Sequence, residues 1–180
     1  MQSLVNRCVT FFCQSTWLTE LGHTVYSHNP CIISLLQKHR DLTCKLPLDT
    51  DTLSEPIRRA PHPLVMQRWR EATRDVLHTS VVTVMELRFG AAKSTKPAAL
   101  WGRIEGELLS RCVLMPFSPD HALRAGEIQA TLARSNLALE WRDVMIASVA
   151  SHHDCTLVTR NTRHFERILG LKVENWFESL

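Results

Sequence analysis

From residue 46 onward, short apolar runs alternate with stretches in which apolar residues recur at helical spacing. Leu46-Pro-Leu48 is a short run, read as a strand, that meets Asp49. Thr52-Leu-Ser-Glu55 has the form of a capping box, and Pro56 falls in the first turn of the short helix it predicts. Arg59 to Pro63 reads as a loop. Leu64, Val65, Trp69 and Ala72 predict a second helix. Val76 to Val82 is rich in strand formers. Thr83 to Glu86 repeats the capping-box pattern, and Val84, Leu87 and Ala91 share one face of the helix that follows. Ala98 to Leu109 is helical, and Cys112 to Phe117 is a strand. Ser118-Pro-Asp120 opens a helix to about Arg134, with Leu123, Ile128 and Leu132 as its core contributors. Trp141 to Ser151 is a helix with Val144, Ala147 and Ser148 on one face. Thr156 to Thr159 is a strand, Thr162 to Leu169 a helix closed by Gly170, and Leu171 to Trp176 a last strand.

Strands that alternate with helices predict an α/β domain whose parallel sheet is covered on both faces. Its crossovers are right-handed. In such open sheets the active site lies beyond the carboxyl ends of the strands, at a switch in strand order. Residues 1–45 lack this pattern. They hold three of the nine His and four of the six Cys, with no clear period, and only Ile32 to Gln37 suggests a helical turn. The chain therefore divides into an N-terminal extension, residues 1–45, and a domain, residues 46–180.

A chain of 180 residues with 44% hydrophobic and 22% charged residues has ordinary globular composition. Disorder, low complexity and a multi-domain machine are excluded. A chain of this size buries roughly 70% of its unfolded surface. The 21 Lys and Arg against 18 Asp and Glu leave a net charge of +3, too mild to argue for nucleic acid from charge alone. The six cysteines form no CxxC pair and no zinc spacing, so they read as scattered reduced thiols. The apolar patch Val9 to Phe12 is too short for a signal segment or a membrane span. The expectation is a cytoplasmic protein.

Three carboxylates follow or flank the expected strands. Asp49 closes the first, Glu86 stands one turn into the helix after the second, and Asp143 opens the helix before the fourth. Asn161 comes just after the fourth. If strands one, two and four are neighbours, all of these converge at one edge. Two like charges about 5 Å apart repel by roughly 3 kcal/mol at an effective dielectric of 20. A cluster of three therefore calls for a divalent cation, and oxygen ligands favour Mg²⁺ or Mn²⁺ over zinc. Each acid also has a structural reading: Asp49 as a turn residue, Glu86 as the third helical residue of a capping box, Asp143 as a carboxylate favoured by the helix dipole. Arg58, Arg59, Arg68, Arg70 and Arg74 form a basic stretch that fits either RNA phosphates or a solvated face. Trp69, Trp141 and Trp176 read as core or interface residues. His152-His153-Asp154-Cys155 reads as a solvated helix end rather than a zinc site.

The strings LDTDTLSE (48–55), Val-Met-Gln-Arg-Trp (65–69), SVVTVMELRFGA (80–91) and WRDVMIASVASHHDCTLVTRNTRHFERILGLKVENW (141–176) together resemble PIN-domain ribonucleases of the VapC toxin family. The resemblance implies a three-layer α/β/α PIN-like domain with a parallel sheet of about five strands. It implies a Mg²⁺-dependent endoribonuclease, with Mn²⁺ as an alternative, that cleaves RNA phosphodiesters as the toxin of a toxin–antitoxin pair. A cognate antitoxin that occludes the site and a homodimer are the partners implied. Asp49, Glu86 and Asp143 match the family's acidic, metal-holding positions, and Asn161 a fourth catalytic position. Thr159 matches a small polar residue near the metal. Asp51 stands where the family usually has Asn. The first strand departs from the family's apolar run, and Pro47 cannot donate to a central ladder. Residues 1–45 have no counterpart and are expected to be an upstream extension, from a misplaced start or a frameshift. Two alternatives are a catalytically inactive PIN-fold module that binds an antitoxin-like partner, and a haloacid dehalogenase-like phosphatase. Asp49-Thr-Asp51 resembles the nucleophile motif of the latter, but Leu53 breaks it and no late paired-Asp motif follows.

Overall fold

The structure, a computed structural model, describes residues 45–73 and 76–179. The readings of residues 1–44, with Cys8, Cys13, Cys31, Cys44 and the Ile32 to Gln37 turn, and of Arg74 lie outside the described residues. Strand β1 (Leu46–Pro47) leads into helix α1 (Thr50–Ser54) and a 3₁₀ turn (Glu55–Ile57). Helix α2 (Pro63–Glu71) precedes β2 (Leu77–Ser80), which passes directly into α3 (Val81–Ala92). Helix α4 (Pro97–Arg103) continues as a π turn (Ile104–Leu108) and a 3₁₀ turn (Leu109–Arg111) before β3 (Val113–Met115). Then follow α5 (Pro119–Arg134), α6 (Trp141–His152), β4 (Thr156–Val158), α7 (Thr162–Phe165) and β5 (Lys172–Glu174).

All strand pairs are parallel. β1 pairs with β2 and β2 with β3, while β4 pairs with β5. A single parallel bridge, Leu48 to Val158, joins the two groups, so the strands run in the order β3-β2-β1-β4-β5. Strand order reverses between β1 and β4. Pro47 shows why the junction is so thin. Leu46 and Leu48 donate their N–H groups toward β2, to Val76 O at 2.9 Å and His78 O at 2.8 Å. Alternate residues of a strand donate to opposite sides, so the N–H that Pro47 lacks belongs to the β4 side. Asp49 N–H resumes that side, donating to Val158 O at 3.0 Å. The proline thus costs nothing on the β2 side and one rung on the other.

Apolar clusters cover both faces. Leu48, Leu77 and Val158 point into one, with Leu53, Val65, Trp69, Leu87 and Leu108 from α1 to α4 and the turns that follow. Leu157 points into the other, with Ala125, Ile128 and Leu132 of α5, Val144 and Ala147 of α6, and Phe165 of α7. Neighbouring residues Leu157 and Val158 divide between the layers, as the two-residue period of a strand requires. This is the expected three-layer α/β/α arrangement. Among the described residues no helix is long and apolar enough to cross a membrane.

Several elements start elsewhere than the local patterns suggest. α1 begins three residues before Glu55's box would allow, because the Asp49 side chain caps it by accepting Thr52 N–H at 2.8 Å. α3 begins at Val81 because Ser80 accepts Thr83 N–H at 3.0 Å. The expected Thr83 box therefore does not form, and Glu86 falls in the second turn. In α5 the inward residues are His121, Ala125, Ile128 and Leu132, and Leu123 is 70% exposed. The last expected helix stops at Phe165, and Gly170 turns the chain at φ 79°. Trp69 and Trp176 lie in the core, but Trp141 is 58% exposed.

Candidate active site

The switch in strand order puts the carboxyl ends of β1 and β4 side by side, and the acids collect there. Asp49, Thr50, Asp51, Glu86, Asp143 and Asn161 line one cavity of about 220 Å³, with Ile146 and Phe165 as its apolar walls. Four segments far apart in sequence supply these groups: the β1–α1 junction, the second turn of α3, the first turn of α6 and the β4–α7 junction.

Asp49 is the deepest of the acids, 7% exposed. Its Oδ1 accepts Thr52 N–H at 2.8 Å, and its Oδ2 accepts the hydroxyl of Thr159, which is fully buried. Burial pushes its carboxyl up to about 6, against the pull of the Thr159 and Thr52 hydrogen bonds. Thr159 also accepts Asn161 N–H at 3.0 Å, so one threonine ties the first acid to the fourth site residue. Glu86 accepts the Thr50 hydroxyl on Oε2, and its Oε1 lies 3.5 Å from Nη1 of Arg142. Asp143 is pushed above the ordinary carboxylate range, first by burial and then by the charge of Glu86, while His164, 3.9 Å away, pulls the other way. Asn161 Nδ2 lies 2.7 Å from His164 Nδ1.

The structural readings of the acids fare differently. Asp49 does cap a helix, yet both of its oxygens keep a lone pair each for another partner. Glu86 caps nothing. Asp143 does sit in the first turn of α6, but with Glu86 beside it. Asp51 lines the cavity mouth and meets Arg58 at 3.6 Å. Arg58 is also held by Glu55, at 3.0 Å, and Glu55 Oε1 accepts His62 N–H at 2.7 Å. Glu55, 4% exposed, is thus the buried post of the loop that follows α1. Arg59 is exposed and does not line the cavity.

Thr50, Arg142 and His164 join the site without a distinct signal in the chain. Only their places beside Asp49, beside Asp143 and three residues after Asn161 could have pointed to them. The His152-His153 pair packs elsewhere: His153 Nε2 lies 3.3 Å from His121 Nε2 at the far end of α6. A second cavity, of about 240 Å³, lies between α5 and the turn after α7, away from the acids; its lining of Ile128, Leu132, Ile168 and one Arg124–Glu127 pair carries no comparable chemistry.

The donors around the first cavity are hard oxygens with surplus negative charge, which suits a hard divalent cation. Among the described residues no three His, Cys, Asp or Glu side chains are drawn to one point. The acids instead border an open space of about 220 Å³.

The PIN domain family matches residues 47–170. The chain is 34% identical to the Haemophilus influenzae protein "Ribonuclease VapC2" over 73% of this chain and 98% of that protein. It is 35% identical to the Salmonella typhimurium "tRNA(fMet)-specific endonuclease VapC", again over 73% and 98%. The crystal structure of DNA-bound VapBC from Salmonella typhimurium superposes with a TM-score of 0.68 at 35% identity, over 73% of this chain and 98% of that one. A phosphatase of the haloacid dehalogenase type is thereby set aside. A domain match over most of the chain, relatives matched along nearly their whole length and a fold with its acids at the strand switch agree: the chain belongs to the PIN-domain family, as a ribonuclease of the VapC toxin type.

Proposed function

We propose that this chain is a Mg²⁺-dependent endoribonuclease in which Asp49, Glu86 and Asp143 hold the cation and Asn161 completes the site. PIN-domain ribonucleases depend on a divalent cation; the choice of Mg²⁺ rests on the oxygen donors and the open cavity. The observation that carries the reading is the joint lining of one cavity by acids from three separate segments and an amide from a fourth, the innermost acid pushed up to about 6 by burial. When bound, such a cation supplies Lewis-acid stabilisation of a phosphodiester and an activated water.

The chain's own residues do the rest. Thr159 fixes the rotamer of Asp49 through Oδ2, and Thr50 fixes Glu86 through Oε2. Asn161, tied to Thr159 through its backbone, offers a neutral amide that can hold a phosphate oxygen or a water without adding charge. Arg58 balances Asp51, so the carboxylate that replaces the family's usual amide adds little net charge at the cavity mouth. Arg59, exposed near by, is proposed as a weak RNA contact.

The substrate proposed for a first trial is transfer RNA, because a relative of 35% identity is a tRNA(fMet)-specific endonuclease. The VapBC complex among the similar structures supports a cognate antitoxin partner, and a homodimer is proposed with it. The proposed place of action is the cytoplasm, and the proposed domain is residues 46–180. The test is incubation of the full chain with a mixed RNA pool in Mg²⁺ and in EDTA, beside Asp143→Asn. Cleavage that needs Mg²⁺ and disappears in the variant is the expected result. Equal cleavage by Asp143→Asn would overturn the assignment of the acids. Absence of cleavage in every arm, with an antitoxin still bound, would mark an inactive partner-binding module.

A further inference from the structure

We propose that Arg142 and Trp141 form a single-stranded RNA subsite at the cavity rim, Arg142 contacting a phosphate beside the scissile one and Trp141 stacking on an adjoining base. This rests on the ribonuclease reading of the cavity. A cavity lined by Asp49, Asp51, Glu86 and Asp143 repels a polyanion, and among the described residues no cationic side chain lines it. A cation held among the acids answers for the scissile phosphate, but the phosphates on either side need cationic contacts of their own.

Among the described residues, two guanidinium groups pair with acids of the cavity: Arg58 with Asp51 and Arg142 with Glu86. Arg58 is anchored on buried Glu55 at 3.0 Å, which commits its head. Arg142 has no such anchor. Its partners are Glu86 at 3.5 Å and Glu140, a surface carboxylate that is 68% exposed. Exposed ion pairs of that kind contribute little. Glu86 is also one of the acids proposed to hold the cation, so its charge is shared once the cation binds, and Arg142 is then free to turn to a phosphate. Its place also argues against a role in helix stability. It lies in the first turn of α6, where the helix dipole disfavours a cation.

Trp141 precedes it on the same turn and is 58% exposed. Trp69 and Trp101 are each covered by an arginine, Arg111 at 4.6 Å and Arg88 at 4.8 Å. No ring or guanidinium among the described residues covers Trp141. Its neighbours in the chain, Glu140 and Arg142, are charged and exposed rather than apolar, which suits a stacking platform beside a charged backbone better than the dry centre of a protein interface. Unpaired bases stack on aromatic faces in this way, whereas bases within a duplex do not present theirs.

The experiment measures binding of a short labelled single-stranded RNA, and of its duplex, to the full chain with Ca²⁺ in place of Mg²⁺ over a range of salt. Cleavage in Mg²⁺ is followed in parallel. For Arg142→Ala the expected result is a higher KM with kcat little changed, and a salt slope reduced by about 0.7, the value of one single-strand phosphate contact. Arg142→Lys restores the slope. Trp141→Ala loses single-strand affinity roughly 5- to 100-fold, Trp141→Phe recovers most of it, and duplex affinity is unchanged. Melting curves of each variant show that the fold is intact. Unchanged salt slope in Arg142→Ala, or unchanged single-strand affinity in Trp141→Ala, overturns the proposal. So does a Trp141→Ala variant whose oligomeric state or antitoxin binding changes while RNA affinity does not, which would make this face a protein interface. If Asp143→Asn still cleaves, the fault lies in the ribonuclease reading of the cavity. If Asp143→Asn is dead while both rim variants behave as the unaltered chain, only the subsite fails.

Discussion

Asp49 caps α1, accepts the Thr159 hydroxyl and faces the cavity, all with one buried carboxylate. That burial has a cost in stability whose sign can be worked out. The folded chain holds the Asp49 proton up to about 6, against 3.8 ordinarily. A raised carboxyl contributes stability that is complete below about 3.8 and is lost as pH rises through about 6. The loss is roughly 3 kcal/mol for a shift of this size. Asp49→Asn removes it, so in EDTA well above pH 6 the variant is expected to melt about 6–12 °C higher than the unaltered chain while cleaving no RNA. A variant that melts lower would show that the charge is not what strains this site. The same proton competes with the cation. Calorimetric titration with Mg²⁺ is expected to show affinity falling about tenfold per pH unit below 6, and flat above it. Asp49 and Asn161 were legible as cavity-lining residues because each is polar and follows an expected strand, Glu86 and Asp143 because each is an acid near the start of an expected helix. Thr50 and Arg142 were not, because nothing in their own neighbourhood marks a residue whose partner is 36 or 56 positions away.

Element boundaries turned on single hydrogen bonds. The sequence pattern around residue 83 fits a capping box, but Ser80 takes Thr83 N–H first and releases Glu86 toward the cavity. Ser80→Ala is expected to cost about 1 kcal/mol in a denaturant melt. Because α3 carries Glu86, the loss should come with weaker Mg²⁺ binding; a stability loss with binding untouched would mean that the start of α3 does not set that carboxylate. Helix α3 is apolar around most of its circumference, with Leu87 and Ala91 buried and Val81, Met85 and Phe89 exposed. Hydrophobic pattern alone cannot choose the inner face of such a helix. Leu123 was misplaced for a related reason: His121, held by Ser118 through both backbone and side chain, occupies the inward row and turns Leu123 outward. Pro47 lies in the central strand, yet its missing donor falls where β1 and β4 share one bridge. Pro47→Val is therefore expected to leave the melting temperature unchanged or raised, and a drop would show that the ring itself is needed in packing.

At the scale of the molecule, the apolar clusters on both faces of the sheet draw, among the described residues, on buried side chains from Leu48 to Trp176. Such a core is what the domain proposed for residues 46–180 needs. Limited proteolysis is expected to trim the chain toward residue 45 and leave a fragment with the same melting transition; a protected, well-packed stretch through residues 1–45 would sink the reading of an extension. The alternation of short apolar runs with helical patterns was enough to establish an α/β domain with a parallel sheet, since chain chirality and short connections leave few topologies.

Local chemistry along the chain marked which residues could act: Asp49 and Asn161 just past a strand, and Glu86 and Asp143 near the starts of helices, in strings that resemble PIN-domain ribonucleases. Whether they act together was a question of tertiary structure. The reversal of strand order between β1 and β4 brings Asp49 and Asn161 to one edge, and the packing of α3 and α6 there adds Glu86 and Asp143. The raised carboxyl of Asp49, the Arg58 counter-charge on Asp51 and the exposure of Trp141 beside Arg142 likewise arise only in the fold. Side-chain type is a property of position in the chain, whereas desolvation and Coulomb interaction depend on distances that only the folded chain sets.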